Sequence, residues 1–409
     1  MKPGKWAKLL LVAAPLLIGL GAGCGDFWQA PSGGGTCATN CTTASSGNFY
    51  ILDAGTSPGI VGDSIVSGTL TAISGSPWLI QGVPYSMAID PAGNFLVVSS
   101  STGVYAYPIT NGALGTGVQV SSDETAGAVQ IDATSSWLLE ALPATGGVTV
   151  GAVPIDPTTG AGTGAELTVT YPITNAALQS NQMAISGDND NIFIALGAGG
   201  TAVVPFNAGV ASGSNPLSST GNIIAVAHTG GEALSVAVDP VTTTNTTPRL
   251  FYIGETLANS AQTSGGLRVF NYSSLGGTLT QANGSPIASG GLEPSFILPL
   301  STGGYAGNYV YAANGGGSGV AGNIAGFTIT ASTAATPVYT IATDTTVAAG
   351  SQPLGMAEDP TGTFVFEVGS AGSPYFDAYT FDTTTLGQLD SQIASTTEGN
   401  AIAIVAAPQ

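Results

Sequence analysis

A strand–turn–strand unit recurs along this chain and restricts its possible folds more than any other feature. The clearest copy is Met356-Ala-Glu-Asp-Pro-Thr-Gly-Thr-Phe-Val-Phe-Glu-Val368. Met87-Ala-Ile-Asp-Pro-Ala-Gly-Asn-Phe-Leu-Val-Val98 repeats it closely, and Val236-Ala-Val-Asp-Pro240 with Leu250-Phe-Tyr-Ile253 is a third copy with a longer turn. In Asp-Pro-x-Gly, proline presets φ at the second turn position, aspartate can accept a hydrogen bond from the turn backbone, and glycine tolerates positive φ. Each unit is therefore a β-hairpin between two apolar strands.

Aligning the first strands of these units places Met87, Val129, Met183, Val236, Phe296, Met356 and Ile402 in register, at steps of 42 to 60 residues. An alanine follows the anchor in five copies: Ala88, Ala184, Ala237, Ala357 and Ala403. A small residue at that point suits strands that converge on an axis. Two further segments, Gly68-Thr-Leu-Thr-Ala-Ile-Ser-Gly-Ser-Pro-Trp78 and Gly277-Thr-Leu-Thr-Gln-Ala-Asn-Gly-Ser-Pro-Ile287, match almost residue for residue. A period in this range with several strands per repeat indicates a β-propeller.

The ends of the chain fix the count. Asn400 to Ala407 reads as one inner strand with no blade after it, whereas Asn48 to Trp78 reads as a blade lacking its inner strand. Joined, they complete a seventh blade and leave no open sheet edge. The expectation is an all-β, seven-bladed β-propeller over residues 47–409, closed by pairing the C-terminal strand with the N-terminal blade.

Residues 1–23 read as a signal peptide: Lys2, Lys5 and Lys8 precede an apolar run from Leu9 to Ala22 that is short for a membrane span. Leu20-Gly-Ala-Gly-Cys24 resembles a bacterial lipobox, which implies a lipidated Cys24, a membrane anchor and, with Gly25 next, the outer membrane of the cell envelope. Residues 24–46 are Gly-, Ser- and Thr-rich and read as a flexible tether. Within it, Cys37 and Cys41 are either a small-loop disulfide or free thiols.

Removing the signal peptide leaves 24 acidic side chains against two basic ones, Arg249 and Arg268. So few cations exclude nucleic acid as a partner, since phosphate binding needs many. The chain also lacks a Gly-x-Ser-x-Gly elbow, a phosphate loop and any cofactor motif. Asp188-Asn-Asp-Asn191 lacks the glycine and distant glutamate of a calcium loop and reads as a turn. Asp123, Glu124 and Asp377 read as isolated, solvated acids, and no metal site is expected.

The unit Pro-x-x-hydrophobic-Ala-hydrophobic-Asp-Pro-x-Gly-x-Phe, followed by strands such as Gly103-Val-Tyr-Ala-Tyr-Pro-Ile109 and the Gly-Ser-Pro closure, resembles the lactonase-like seven-bladed propellers. That family includes phosphogluconolactonase-like proteins and YVTN-type surface propellers. The resemblance implies the fold from about Asn48 onward, and one such scaffold hosts unrelated functions. Lactone-processing relatives place Arg, His and acidic side chains around the channel. Here His228, Glu232 and one of Arg249 or Arg268 could supply a base for water and a donor for the oxyanion. Two readings follow. One is a non-catalytic envelope module, a monomer that binds a protein or glycan partner. The alternative is a lactonase-like hydrolase of a neutral lactone.

Overall fold

The Asp-Pro-x-Gly segments fold as the turns their residues require. In the computed structural model, the residues described are 45–408 apart from 212, 241–248, 262, 273–278, 303–306, 317–320, 332–338, 372–374, 383–384 and 396–398. Asp90 N–H donates to Phe95 O at 3.0 Å, and Gly93, at φ 72°, donates back to Asp90 O at 2.8 Å. Asp359 and Gly362 repeat both bonds. Asp132 with Ser135, and Ser186 with Asn189, build the same turn without proline or glycine, because Ser135 (φ 54°) and Asn189 (φ 58°) take the left-handed position. Asp188-Asn-Asp-Asn191 is thus a hairpin turn, as its composition suggests.

These turns also tie one blade to the next. The buried Asp90 accepts a hydrogen bond from Ser135 Oγ, and Asp132 accepts one from Asn189 Nδ2 at 3.2 Å. Asp359 accepts one from the Gly47 backbone at 2.9 Å.

The strands form seven antiparallel sheets arranged as blades. Blade 1 combines Phe49–Asp53, Gly59–Val66 and Thr69–Ala72 with the last strand of the chain, Ala401–Ala406. The other six inner strands are Pro84–Ile89 (blade 2), Ala128–Ile131 (blade 3), Met183–Ile185 (blade 4), Ala233–Val238 (blade 5), Pro294–Pro299 (blade 6) and Ser351–Glu358 (blade 7). Each of the seven anchors lies in one of them. Every inner strand adjoins the next around the ring, and Ala401–Ala406 adjoins those of blades 7 and 2, so the circle closes. Closure is antiparallel: Tyr50 faces Val405, Ile51 faces Ile404 and Leu52 faces Ala403.

Packing follows the same order. Seven apolar clusters occupy the seven interfaces between neighbouring blades; Phe49, Phe366 and Phe376, for example, stack between blades 1 and 7. Stability therefore comes from side-by-side burial repeated around the ring, at about 1.5–3 kcal/mol for each large apolar side chain removed from water. The two matching segments seen in the sequence fold alike. Ser76 Oγ accepts Gly62 N–H at 2.9 Å in blade 1, and Ser285 Oγ accepts Val269 N–H at 2.7 Å in blade 5. Residues 1–44, with Cys24, Cys37 and Cys41, lie outside the described residues.

Candidate functional site at the channel mouth

Residues at the starts of the inner strands surround a cavity of about 510 Å³ at one mouth of the central channel. Residues at the ends of those strands, among them Ile131, Ile185, Val238 and Leu298, line a smaller space of about 320 Å³. Of the residues lining the two spaces, the one carboxylate belongs to the first. Its polar lining comprises Tyr85, Gln179, Ser180, Gln182, Glu293, Ser295 and Gln352, and its apolar lining includes Leu178, Leu234, Leu354 and Ile402. Glu293 is the one carboxylate among the lining residues, and none of them is basic.

A ring of short polar side chains just inside the mouth holds the inner strands in place. Ser86 Oγ donates to Asn181 Oδ1 at 2.8 Å and accepts Val129 N–H at 3.1 Å, joining blades 2, 3 and 4. Gln182 is buried; its Nε2 donates to Ser295 O at 3.0 Å and its Oε1 accepts Val236 N–H at 3.4 Å. Ser235 Oγ donates to Pro294 O at 2.7 Å, and Ser295 Oγ donates to Pro353 O. These bonds satisfy backbone groups that converge near the axis, where an unpaired one would cost about 1–3 kcal/mol.

Above this ring the backbone is strained. Asn181 and Glu293 each precede an inner strand, Gln352 is the second residue of one, and the three hold φ of 58°, 51° and 59°. Asparagine adopts this region readily, but glutamate and glutamine do so uncommonly, and such outliers gather at functional sites. Glu293 is followed by Pro294 and fixed through its carbonyl, which accepts Gly315 N–H at 2.9 Å. Its side chain is exposed on the rim. Gln352 Oε1 accepts Ser370 Oγ at 3.2 Å. The Tyr85 hydroxyl has no hydrogen-bond partner among the described residues.

The four candidates read from the sequence do not line this cavity. Arg268 pairs with Glu255 at 3.1 Å, donates to Ala225 O and Gln281 Oε1, and lies over the Phe270 ring. Glu255 is 2 % exposed and also accepts Ala227 N–H at 3.1 Å. Burial raises its carboxyl above the usual range, and Ala227 and Arg268 oppose that rise. His228, in the connection between blades 4 and 5, donates from Nε2 to Ala258 O at 3.1 Å. Glu232 is exposed and joined to Thr256 through its backbone. Arg249 begins the strand that Glu255 ends, so its backbone sits at the opposite face. The structure thus pairs Arg268 with Glu255, a residue not singled out in the sequence, turns His228 to Ala258 O, leaves the Glu232 side chain in solvent and sets the Arg249 backbone at the other end of the strand.

Two of the acids expected to be solvated are not. Asp377 is 4 % exposed and lies directly opposite Glu367, itself fully buried; Asp123 is half-buried beside Glu140 and Glu166. Glu124 is exposed, as expected. The residues that line the mouth were findable by position: Tyr85, Gln182, Glu293 and Gln352 lie one to four residues before the anchors Met87, Met183, Phe296 and Met356.

No protein-family model matches the sequence, and neither does any curated protein. Solved structures do match. A Bacteroides fragilis protein named as a candidate 6-phosphogluconolactonase aligns with a TM-score of 0.60 and 13% identity, over 89% of this chain and 98% of that one. The Pseudomonas aeruginosa periplasmic gluconolactonase aligns with a TM-score of 0.58 and 16% identity, over 89% and 100%. A functionally unknown protein from Desulfotomaculum acetoxidans gives 0.60 and 13%, over 89% and 100%. At these identities the likeness establishes the fold alone, the seven-bladed propeller.

Proposed function

We propose that the chain is a lactonase-like hydrolase that opens an uncharged sugar lactone at the channel mouth. The observation that carries this reading is Glu293, the single carboxylate of the cavity lining, held in a left-handed conformation on its rim. Names borne by two proteins of similar fold, one a gluconolactonase and one a candidate 6-phosphogluconolactonase, support the substrate class. The hydroxyls and amides of the lining suit a polyhydroxylated ring, and the absence of a basic lining residue suits a neutral one.

In this mechanism Glu293 takes a proton from a water as its oxygen attacks the lactone carbonyl carbon. The carbonyl π electrons move to oxygen, and the Tyr85 hydroxyl and the Gln352 amide donate to the resulting oxyanion. The tetrahedral species collapses, the ring C–O bond breaks, and the departing alkoxide recovers the proton from Glu293. The product is a hydroxy acid whose carboxylate is repelled by the acidic chain.

A second reading, a binding module without catalysis, is favoured by one observation. The amides of Gln179 and Gln182 are already engaged with backbone carbonyls, which limits the donors left for an oxyanion. One experiment separates the two. Purified protein and Glu293→Gln are assayed against gluconolactone, with binding measured by calorimetry. Hydrolysis requires that Glu293→Gln lose about 100-fold or more in kcat while still binding, the usual contribution of a general base. Binding with no turnover by the parent supports the module.

We also infer that the chain works in the cell envelope, anchored through Cys24. The lipobox-like segment and the periplasmic location named for the gluconolactonase of similar fold support this. Cys24→Ser should leave the membrane fraction; unchanged fractionation with unchanged mature mass overturns it.

A further inference from the structure

Blade 3 holds a group of acids that the channel mouth does not use. Glu140 lies in the strand Trp137–Ala144, opposite Val129 on one side and Gly151 on the other. Alternation along that strand turns Leu139 and Ala141 toward blade 4 and Leu138 toward blade 2. Glu140 shares the blade 2 face. It is 0 % exposed, and among the described residues neither of its carboxylate oxygens completes a hydrogen bond. Glu166 reaches the same point from the connection before the outer strand Leu167–Pro172, and its buried Oε1 is also without a partner. It lies over Gly151, where any Cβ would collide with Oε1. Asp123 arrives from the connection between blades 2 and 3. One oxygen from each of the three lies within 4.8 Å of the others.

Among the described residues no ion pair neutralises this group. No lysine or arginine occurs between Lys8 and Arg249. Burial raises the Glu140 carboxyl well above its ordinary range, with repulsion from Glu166 and Asp123 adding to it and only Ser121 opposing. Three acids that converge on one point, the deepest of them fully buried and without a hydrogen-bond partner, need either protons or a cation.

We propose that Asp123, Glu140 and Glu166 form an interblade site for a divalent cation, calcium, that fastens blade 2 to blade 3. Calcium–oxygen distances of about 2.3–2.6 Å allow two ligands of one ion to stand up to about 5 Å apart, which matches the spread of these oxygens. All the donors are hard carboxylates, with neither thiol nor imidazole among them, which favours calcium over zinc. Water and nearby backbone carbonyls would complete its six to eight ligands. The ion would link the connection entering blade 3, its second strand and the connection before its outer strand. The site stands apart from the channel mouth and does not depend on the lactone reading.

The test uses the purified chain stripped with a chelator, then titrated with calcium chloride near neutral pH. Calcium is counted by equilibrium dialysis while melting is followed. One ion per chain should bind saturably and raise the melting temperature by several degrees, because a ligand that binds only the folded state stabilises it. Asp123→Asn, at the half-buried edge of the group, and Glu140→Gln should each weaken binding at least tenfold. Glu367→Gln, at the matching register in blade 7, should leave it unchanged. No saturable binding by the parent up to about 10 mM, well above weak extracellular calcium sites, overturns the proposal. So does binding that survives both Asp123→Asn and Glu140→Gln, or stabilisation by Glu140→Gln in a parent indifferent to calcium.

Discussion

Asp53 accepts a hydrogen bond at 2.7 Å from the backbone N–H of Asn400, 347 residues away in the sequence. Ala54 N–H returns a bond to Asn400 O at 2.8 Å, and the ladder runs on from there to Phe49 and Ala406. This clasp makes one blade from both ends of the fold. Deleting residues 400–409 should therefore destabilise the whole ring. Ile404, Ala403 and Ala401 are buried between the clusters of blades 7, 1 and 2. Losing Ile404 alone removes about 1.5–3 kcal/mol of burial, and unpaired strand edges add to it. Against a total of about 5–15 kcal/mol for a typical domain, the truncated chain should melt well below the parent or fail to fold. An unchanged melting temperature would sink the closure argument.

The second prediction concerns pH. Asp63, opposite Phe49 in blade 1, is 2 % exposed, and burial pushes its carboxyl up to about 7. Below the unfolded value near 3.8 both states hold the proton, so the stabilising contribution is complete there. Between that value and about 7 only the folded state keeps it, and stability falls as pH rises through this window. Asp63→Asn removes the effect. Each tenfold difference in proton affinity between the folded and unfolded chain is worth about 1.4 kcal/mol, so the variant should be more stable than the parent at pH 8 by up to about 4 kcal/mol and little changed at pH 4. Urea unfolding from pH 4 to 8 measures this, and a variant with the parental slope refutes it.

In blade 7 the buried Glu367 and Asp377 face each other across two strands. The Tyr379 hydroxyl stands 2.9 Å from Ala348 O and 3.1 Å from Asp377 Oδ2. It has one hydrogen to donate, and a protonated Asp377 lets both contacts form: Tyr379 gives to Ala348 and receives from Asp377. Burial raises Asp377 to about 7, and burial with repulsion from Asp377 raises Glu367 well above its ordinary range, in keeping with protons held on the pair. Asp377→Asn, which keeps a donor, should match or exceed parental stability at pH 8. Tyr379→Phe should lose about 1–3 kcal/mol by stranding buried partners. Equal losses in chemical denaturation from the two variants would contradict the pairing.

What was legible in the sequence is what repeats. Asp90 and Gly93 announce a turn by their own chemistry, and the seven anchors announce a ring because the same apolar pattern returns. Even blade 3, where Ser135 stands in for glycine, kept the anchor Val129 in register. The site is different because it breaks the repeat. Glu293 looks like any loop acid until the ring sets it beside Gln182 and Gln352, which are far away in the chain. His228 and Glu232 are close in sequence, yet His228 turns to Ala258 O while Glu232 stays in solvent. Glu140 and Glu367 both stand opposite anchors, Val129 and Met356, so strand alternation held the evidence that these acids point inward.

The last prediction separates neutral from phosphorylated substrates. A phosphate group needs charge-assisted donors, usually Arg or Lys, and among the described residues none lines the mouth. Arg268 is committed to Glu255, and 24 acidic side chains against two arginines in the chain beyond Cys24 set a field that repels an anion. The kcat/KM for 6-phosphogluconolactone should therefore lie about 100-fold or more below that for gluconolactone, a gap of roughly 3 kcal/mol. Ser180→Arg places a cation on the rim at an exposed lining position outside the proposed machinery and should raise use of the phosphorylated substrate by about tenfold, with a smaller effect on the neutral one. Added salt should narrow the gap in the parent, since screening weakens a long-range field more than a direct contact. Equal parental rates on both substrates would mean that a cation reaches the mouth from elsewhere, and the case for a neutral lactone would fall with them.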